Sequence, residues 1–205
     1  MMILVTGGAS SGKSAFAETL ACALPGPRYY LAAMKPFGEE GARRIARHRA
    51  LRAGKGFRTV ECYDGLLGIG ESIAEAEASP PGWDNASLSF RGIALLESLG
   101  NVVANELFAD DGSVTAADLA LQAVVDGIGH VETLFDSLVI VGDEVGGDGL
   151  CYDKTTEDYI RVIGSAACAL AQRCDVVVEC VAGQPLAVKG ASVLKELLHK
   201  EVACA

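Results

Sequence analysis

Lys13 and Ser14, preceded by Gly7, Gly8 and Gly12, are the residues of this chain best suited by type and spacing to hold phosphate. The run Gly7-Gly8-Ala9-Ser10-Ser11-Gly12-Lys13-Ser14 has the Walker A spacing, G-x-x-x-x-G-K-[ST]. Its glycines permit positive φ angles and close approach of the backbone, so that successive N–H groups turn inward on an anion. Lys13 is placed to reach the β/γ-phosphates and the Ser14 hydroxyl to ligate Mg²⁺. The apolar strand Met2-Ile3-Leu4-Val5 before the loop and the helix-forming run after it supply the context the motif requires. That helix adds unpaired N–H groups and its positive dipole end. A nucleoside triphosphate is the expected ligand.

A second group with chemical capacity lies in a basic segment. Eight of the 17 Lys and Arg residues fall between Lys35 and Arg58, offset only by Glu39 and Glu40. The segment Gly38 to Arg52 is helical in composition, and Arg44, His48 and Arg52 at i, i+4 and i+8 share one face, with a histidine between two guanidiniums. On charge alone such a segment is either a solvated helix face or an anion-binding element. Two apolar strands end in carboxylates: Gly92-Ile93-Ala94-Leu95-Leu96-Glu97, and Leu138 to Val141 followed by Gly142-Asp143-Glu144. Either has the form of a Walker B element that positions Mg²⁺. The residues leave both open.

The elements that must position these groups follow from the apolar pattern. Tyr29–Met34, Phe57–Cys62 and Asp175–Val181 read as further strands. Leu66–Ala78, Thr115–Ser137, Thr156–Arg173 and Ser192–Val202 read as helices, and Ser79–Asn85 as a loop. Continuous apolar strands alternating with helices imply an α/β fold with a mostly parallel sheet covered on both faces. The 205 residues suit one domain spanning 1–205. Half of them are hydrophobic, yet no run approaches the ~20 apolar residues of a membrane span, and the first residues do not form a signal peptide. A cytoplasmic protein is expected. The net charge of −10 argues against a nucleic-acid partner. Seven cysteines without C-x-x-C pairs or zinc spacing read mostly as buried small hydrophobes in a reducing compartment.

These residues resemble a family. The first strand and phosphate loop, Tyr30-Leu31-Ala32-Ala33, Arg44-Ile45-x-x-His48-x-x-x-Arg52, Phe57-Arg58-Thr59-Val60-Glu61, Leu95-Leu96-Glu97, Asn105-Glu106-Leu107-Phe108 and Asp143-Glu144-Val145-Gly146 are similar in order and spacing to the bifunctional adenosylcobinamide kinase/adenosylcobinamide-phosphate guanylyltransferases of cobalamin biosynthesis. The resemblance implies a P-loop NTPase-like three-layer α/β/α fold and a homotrimer. It also implies an enzyme that phosphorylates adenosylcobinamide and then transfers GMP from GTP through a guanylyl-histidine, with GTP, ATP and Mg²⁺ in play. Carried over by position, His48 is the nucleophile and Lys13 its catalytic partner at the phosphates. Gly7 to Ser14, Ala32, Ala33, Met34, Arg49, Ala50, Leu51, Arg52, Glu61 and Glu97 contact nucleotide, and Ser14 and Glu97 serve the metal. The chain departs from the family at Ser10, where an Arg is usual, at Phe57, and after Gly146, where Gly147-Asp148-Gly149-Leu150-Cys151-Tyr152 stands. A related kinase or nucleotidyltransferase with another acceptor, or a nucleotide-binding module without catalysis, fits the phosphate loop equally well.

Overall fold

Strand β1 (Met2–Thr6) is buried over its first four residues and lies inside a seven-stranded sheet of order β3-β2-β4-β5-β1-β6-β7, third from the β7 edge. The other strands are β2 (Arg28–Ala32), β3 (Phe57–Glu61), β4 (Phe90–Glu97), β5 (Phe135–Val141), β6 (Val176–Val181) and β7 (Gln184–Lys189). All neighbours run parallel except β6 and β7, which form an antiparallel hairpin. The structure, a computed structural model, describes residues 1–36, 38–63, 65–76 and 90–202. The loop expected at Ser79–Asn85 lies outside the described residues.

Helices cover both faces, as a parallel sheet requires. Because successive strand residues point to opposite faces, Met2 and Leu4 belong to one core and Ile3 and Val5 to the other. The first core is closed by α3 (Ile69–Ala76), α4 (Leu99–Leu107), α5 (Ala117–Leu134) and α6 (Lys154–Arg173). The second is closed by α1 (Lys13–Ala23) and α7 (Ala191–Val202). Helix α2 (Gly38–Arg52) joins that side through Arg52, whose guanidinium carbon lies 3.3 Å from the centre of the Tyr30 ring. The expected three-layer α/β/α arrangement is therefore the observed one.

Several side chains fix the strands at the end of the sheet opposite the phosphate loop. Asp175 accepts the Met2 N–H at 2.8 Å, and Asp136 accepts the Gly92 N–H at 2.8 Å. Buried Glu18 on α1 pairs with Lys55 just beyond α2, tying the basic helix to the helix that follows the phosphate loop. Helix α6 starts at Asp153, whose carboxylate accepts the Thr155 and Thr156 N–H groups in place of a preceding turn.

One boundary and two missed elements depart from the sequence reading for identifiable reasons. The pattern from Thr115 to Ser137 spans a helix and the start of a strand, because the chain passes directly from Leu134 into β5 and apolar residues continue through the junction. Helix α4 goes unread because Gly100 and Asn101 in its first turn are poor helix formers and no acidic residue in that turn marks its start. Strand β7 goes unread because all six of its residues are exposed, so it lacks the alternation of a half-buried strand.

Candidate active site

The C-terminal ends of β1, β2, β4 and β5 lie side by side, and the candidate residues project from them and from the adjoining helices. The phosphate loop links β1 to α1 with Gly7 at φ 151°, Ser10 at φ 58° and Gly12 at φ 91°. A Cβ on Gly7 would lie 2.5 Å from the Cys180 carbonyl oxygen and 2.7 Å from Ser11 Oγ, so only glycine fits between the loop and β6. The turn of the β6–β7 hairpin braces the loop from outside, its Gly183 N–H donating to the Ser11 carbonyl at 3.0 Å. Gly8 is partly exposed and Ala9 and Ser10 are exposed at the loop's tip.

Lys13 turns back over this loop. Its ammonium donates to the Gly8 carbonyl at 3.1 Å and lies 3.5 Å from Asp143, just beyond β5. The Ser14 hydroxyl donates to Glu97 Oε1 at 2.7 Å, at the end of β4. The two candidate Walker B carboxylates are thus both at the loop, one facing the lysine and the other the serine. Asp143 also accepts the Gly100 N–H at 3.1 Å from the start of α4.

His48 comes to the same place from α2. Its Nδ1 lies 3.7 Å from Glu97 Oε1, the oxygen that takes the Ser14 hydrogen bond. Arg52, one turn further along α2, is 6% exposed, and its Nη1 has no hydrogen-bond partner among the described residues. The third residue expected on this face, Arg44, has a side chain outside the described residues, as does Leu51. Arg49 pairs with Glu61 at 2.7 Å, so these two proposed nucleotide contacts hold each other at the edge of the sheet. Ala50 is exposed. The Ala33 N–H donates to the Glu97 carbonyl at 3.3 Å, the Ala32 carbonyl accepts from Cys62, and the Ala33 carbonyl accepts from Asn105, so the Ala32–Met34 segment is pinned beside β4 by its backbone.

Beyond Arg52, a cavity of about 400 Å³ is lined by Arg49, Arg52, Ala53, Gly54, Gly56, Phe57 and Thr59. It is built from the end of α2, the turn after it and the start of β3, and includes no residue of the phosphate loop. Two buried side-chain atoms lack partners among the described residues, Ser11 Oγ in the loop and Arg52 Nη1. A buried polar group left without a partner is costly, and both belong to the region expected to bind nucleotide.

The basic helix is divided between the two roles its charge allowed. Arg43 is exposed and paired with Glu39 one turn away, whereas His48 and Arg52 face inward. Sequence reasoning missed Tyr30 as a member of the site, although it stood in the segment that carried the resemblance. Its hydroxyl donates to Glu97 Oε2 at 3.0 Å while its ring carries Arg52. Burial, and then the adjacent Glu97 carboxylate, push its hydroxyl's pKa above the usual range, so the phenol stays protonated and can only donate to the carboxylate.

The family model described as cobinamide kinase / cobinamide phosphate guanyltransferase matches residues 3–188. The chain belongs to this cobinamide kinase / cobinamide phosphate guanyltransferase family. It is 30% identical to the bifunctional adenosylcobalamin biosynthesis protein CobP of Pseudomonas aeruginosa over 93% of this chain and 98% of that one. It is likewise 30% identical to the bifunctional adenosylcobalamin biosynthesis protein CobU of Salmonella typhimurium, over 92% of this chain and all of that one. The protein of the same name from Escherichia coli is 32% identical over 71% of this chain and 76% of its own length. Among solved structures, an ATPase of a type III secretion system covers 99% of this chain, which spans 61% of that one, at 10% identity and a TM-score of 0.49. As a member of the cobinamide kinase / guanyltransferase family, the protein is a nucleotide-dependent transferase. The match runs through the segment after Gly146, where the chain departs from the expected pattern.

Proposed function

We propose that the protein phosphorylates adenosylcobinamide and then transfers GMP from GTP to the product in cobalamin biosynthesis, using one nucleotide site and His48 as the covalent carrier. The observation that carries this reading is the convergence of α2 and the phosphate loop on one carboxylate oxygen: Ser14 at 2.7 Å and His48 at 3.7 Å from Glu97 Oε1. A structural histidine on the solvated face of a basic helix would have no reason to lie there.

In the guanylyl half-reaction, His48 Nε2 attacks the α-phosphorus of GTP. The new N–P bond forms as the bond to pyrophosphate breaks, and the Nδ1 proton passes to Glu97. A phosphate oxygen of the acceptor then attacks the same phosphorus, the N–P bond breaks, and the imidazole recovers its proton from Glu97. Arg52 supplies a fixed positive charge one turn from the imidazole and offers its unpaired Nη1 to a nucleotide oxygen. In the kinase half-reaction with ATP or GTP, the loop N–H groups and Lys13 hold the β/γ-phosphates. Asp143, now paired with Lys13, is placed to accept the proton of the alcohol.

The oxygens of Ser14 and Glu97 fit the hard-donor preference of Mg²⁺, which takes few protein ligands and keeps water and phosphate for the rest. When bound, Mg²⁺ would neutralise developing phosphate charge. The fit of the chain to a single domain, its cytoplasmic location and its assembly as a homotrimer are parts of the same proposal. Among the described residues no helix is long and apolar enough to cross a membrane.

The test is incubation with α-labelled GTP followed by denaturation. The wild-type chain is expected to retain acid-labile, base-stable label, and His48→Asn to retain none while keeping ATP-dependent phosphorylation within about threefold, because alcohol phosphorylation at a P-loop uses no covalent histidine. Label on the His48→Asn chain, or none on the wild type under conditions where GTP binds, overturns the reading.

A further inference from the structure

Glu97 is 8% exposed, and a carboxylate so buried must be held by donors. The Ser14 hydroxyl satisfies Oε1 from the phosphate loop, and the Tyr30 hydroxyl satisfies Oε2 from β2. One bond on one oxygen would leave the carboxyl plane free to turn about its last torsion. Bonds on both oxygens, from elements on different sides, fix that plane and leave Oε1 facing His48 Nδ1. The Tyr30 ring has a second contact. The Arg52 guanidinium carbon lies over it at 3.3 Å from the ring centre, and Phe57 closes its edge with ring centres 6.3 Å apart and planes at 80°. Arg52 is therefore held in place by an aromatic face, which leaves Nη1 unspent for a ligand.

We infer that Tyr30 is a positioning residue of the guanylyl half-reaction, whose hydroxyl orients Glu97 toward His48 and whose ring seats Arg52. The inference rests on the covalent-histidine reading above and goes beyond it by separating two functions within one side chain. The hydroxyl acts through Glu97 on the imidazole and so on the rate of the chemical step. The ring acts through Arg52 on the placement of the nucleotide and so on its affinity. A tyrosine that merely filled the core would show neither separation.

Three readouts on the full-length protein test this: the rate of enzyme labelling from α-labelled GTP, the KM for GTP in that step, and the rate of ATP-dependent phosphorylation. Tyr30→Phe keeps the ring and removes one oxygen. Its labelling rate is expected to fall about tenfold, as for a misaligned catalytic group, with a severalfold smaller fall in the kinase rate, which depends on Glu97 for the metal and not for His48, KM within about twofold of wild type and the melting temperature little changed. Tyr30→Leu also removes the seat of Arg52, and its KM is expected to rise about tenfold in addition. In a Glu97→Ala background, Tyr30→Phe should have no further effect on labelling, because the hydroxyl has nothing left to orient. Wild-type labelling by Tyr30→Phe, a proportional fall in labelling and kinase rates, or a full Tyr30→Phe effect without Glu97 overturns the inference while leaving the histidine intermediate intact. A wild-type chain that never takes label overturns the function proposal itself, which the Tyr30 variants cannot do.

Discussion

Lys13 carries the one side-chain positive charge within the phosphate loop, and its ammonium is held between the Gly8 carbonyl and Asp143. That arrangement stores the charge where triphosphate oxygens are expected, with a neutralising carboxylate that must yield when they arrive. Lys13→Ala should therefore lose roughly 3 kcal/mol of phosphate stabilisation, about a hundredfold in turnover for both ATP and GTP. Steady-state kinetics of both half-reactions checks this, and unchanged turnover would remove the loop from the mechanism. The lysine was legible because its partners in the motif are its neighbours in sequence. Asp143 and Glu97 were legible only as two candidates for one place. They lie 46 positions apart in the chain, and nothing local says that one would face Lys13 and the other Ser14. The cysteines divide in the same manner. Cys62, Cys174 and Cys180 are buried, and burial pushes the Cys62 and Cys174 thiols up to about 12, whereas Cys151 and Cys168 are exposed. Of the described cysteines, alkylation followed by mass spectrometry should mark Cys151 and Cys168 first, because they are exposed and the thiolate is the reacting form.

At the level of elements, the site depends on the register of β4, which carries Glu97 at one end and Gly92 near the other. Gly92 has φ 126°, and a Cβ there would meet the Pro27 carbonyl oxygen at 2.2 Å. The obstacle is backbone, so it cannot rotate aside. Gly92→Ala should destabilise the fold by about 3 kcal/mol and, by moving β4 against β2, slow His48 labelling in whatever protein remains folded. Thermal unfolding and the labelling assay together check both effects. Helix α6 gives a pH-dependent case. Hydrogen bonds from Thr156, and then from the Thr155 N–H, hold the Asp153 carboxyl below its ordinary 3.8. A depressed folded-state pKa contributes stability that is present above 3.8 and is lost as pH falls through the lower folded value. Asp153→Ala should lower the melting temperature at pH 7, and the difference from wild type should shrink on acidification below pH 4. These elements also show what sequence could not supply. The boundaries of α1, α2 and β6 followed from glycine, proline and apolar periodicity, whereas the insertion of β5 between β4 and β1 is a tertiary fact with no local signature.

For the molecule as a whole, the proposed homotrimer requires an apolar surface that one chain leaves uncovered. Strand β7 offers one at the edge of the sheet: Leu186 is 53% and Val188 65% exposed, beside Val181 at the end of β6. Continuation of the sheet into a neighbour is opposed at this edge, because Pro185 has no N–H to donate. Lys189 bends instead to cap the last carbonyls of α6, at 3.1 Å from Ala171 and 3.0 Å from Gln172. Packing through side chains on the face of the hairpin is the contact that remains, and clusters of exposed aliphatic residues mark such surfaces. The hairpin is also the element whose turn holds the phosphate loop, through Gly183 and Ser11. Burial of β7 in a neighbour would therefore steady the nucleotide site, and assembly and GTP affinity should change together. Sedimentation at micromolar concentration is expected to give three times the 21.2 kDa chain mass. Glu at both Leu186 and Val188 should reduce that to the mass of one chain and weaken GTP binding severalfold, since buried unpaired carboxylates strongly disfavour an interface. A wild type that sediments as a monomer overturns the trimer. A double variant that remains trimeric with unaltered GTP affinity shows that the subunits meet elsewhere and that β7 serves only its own loop.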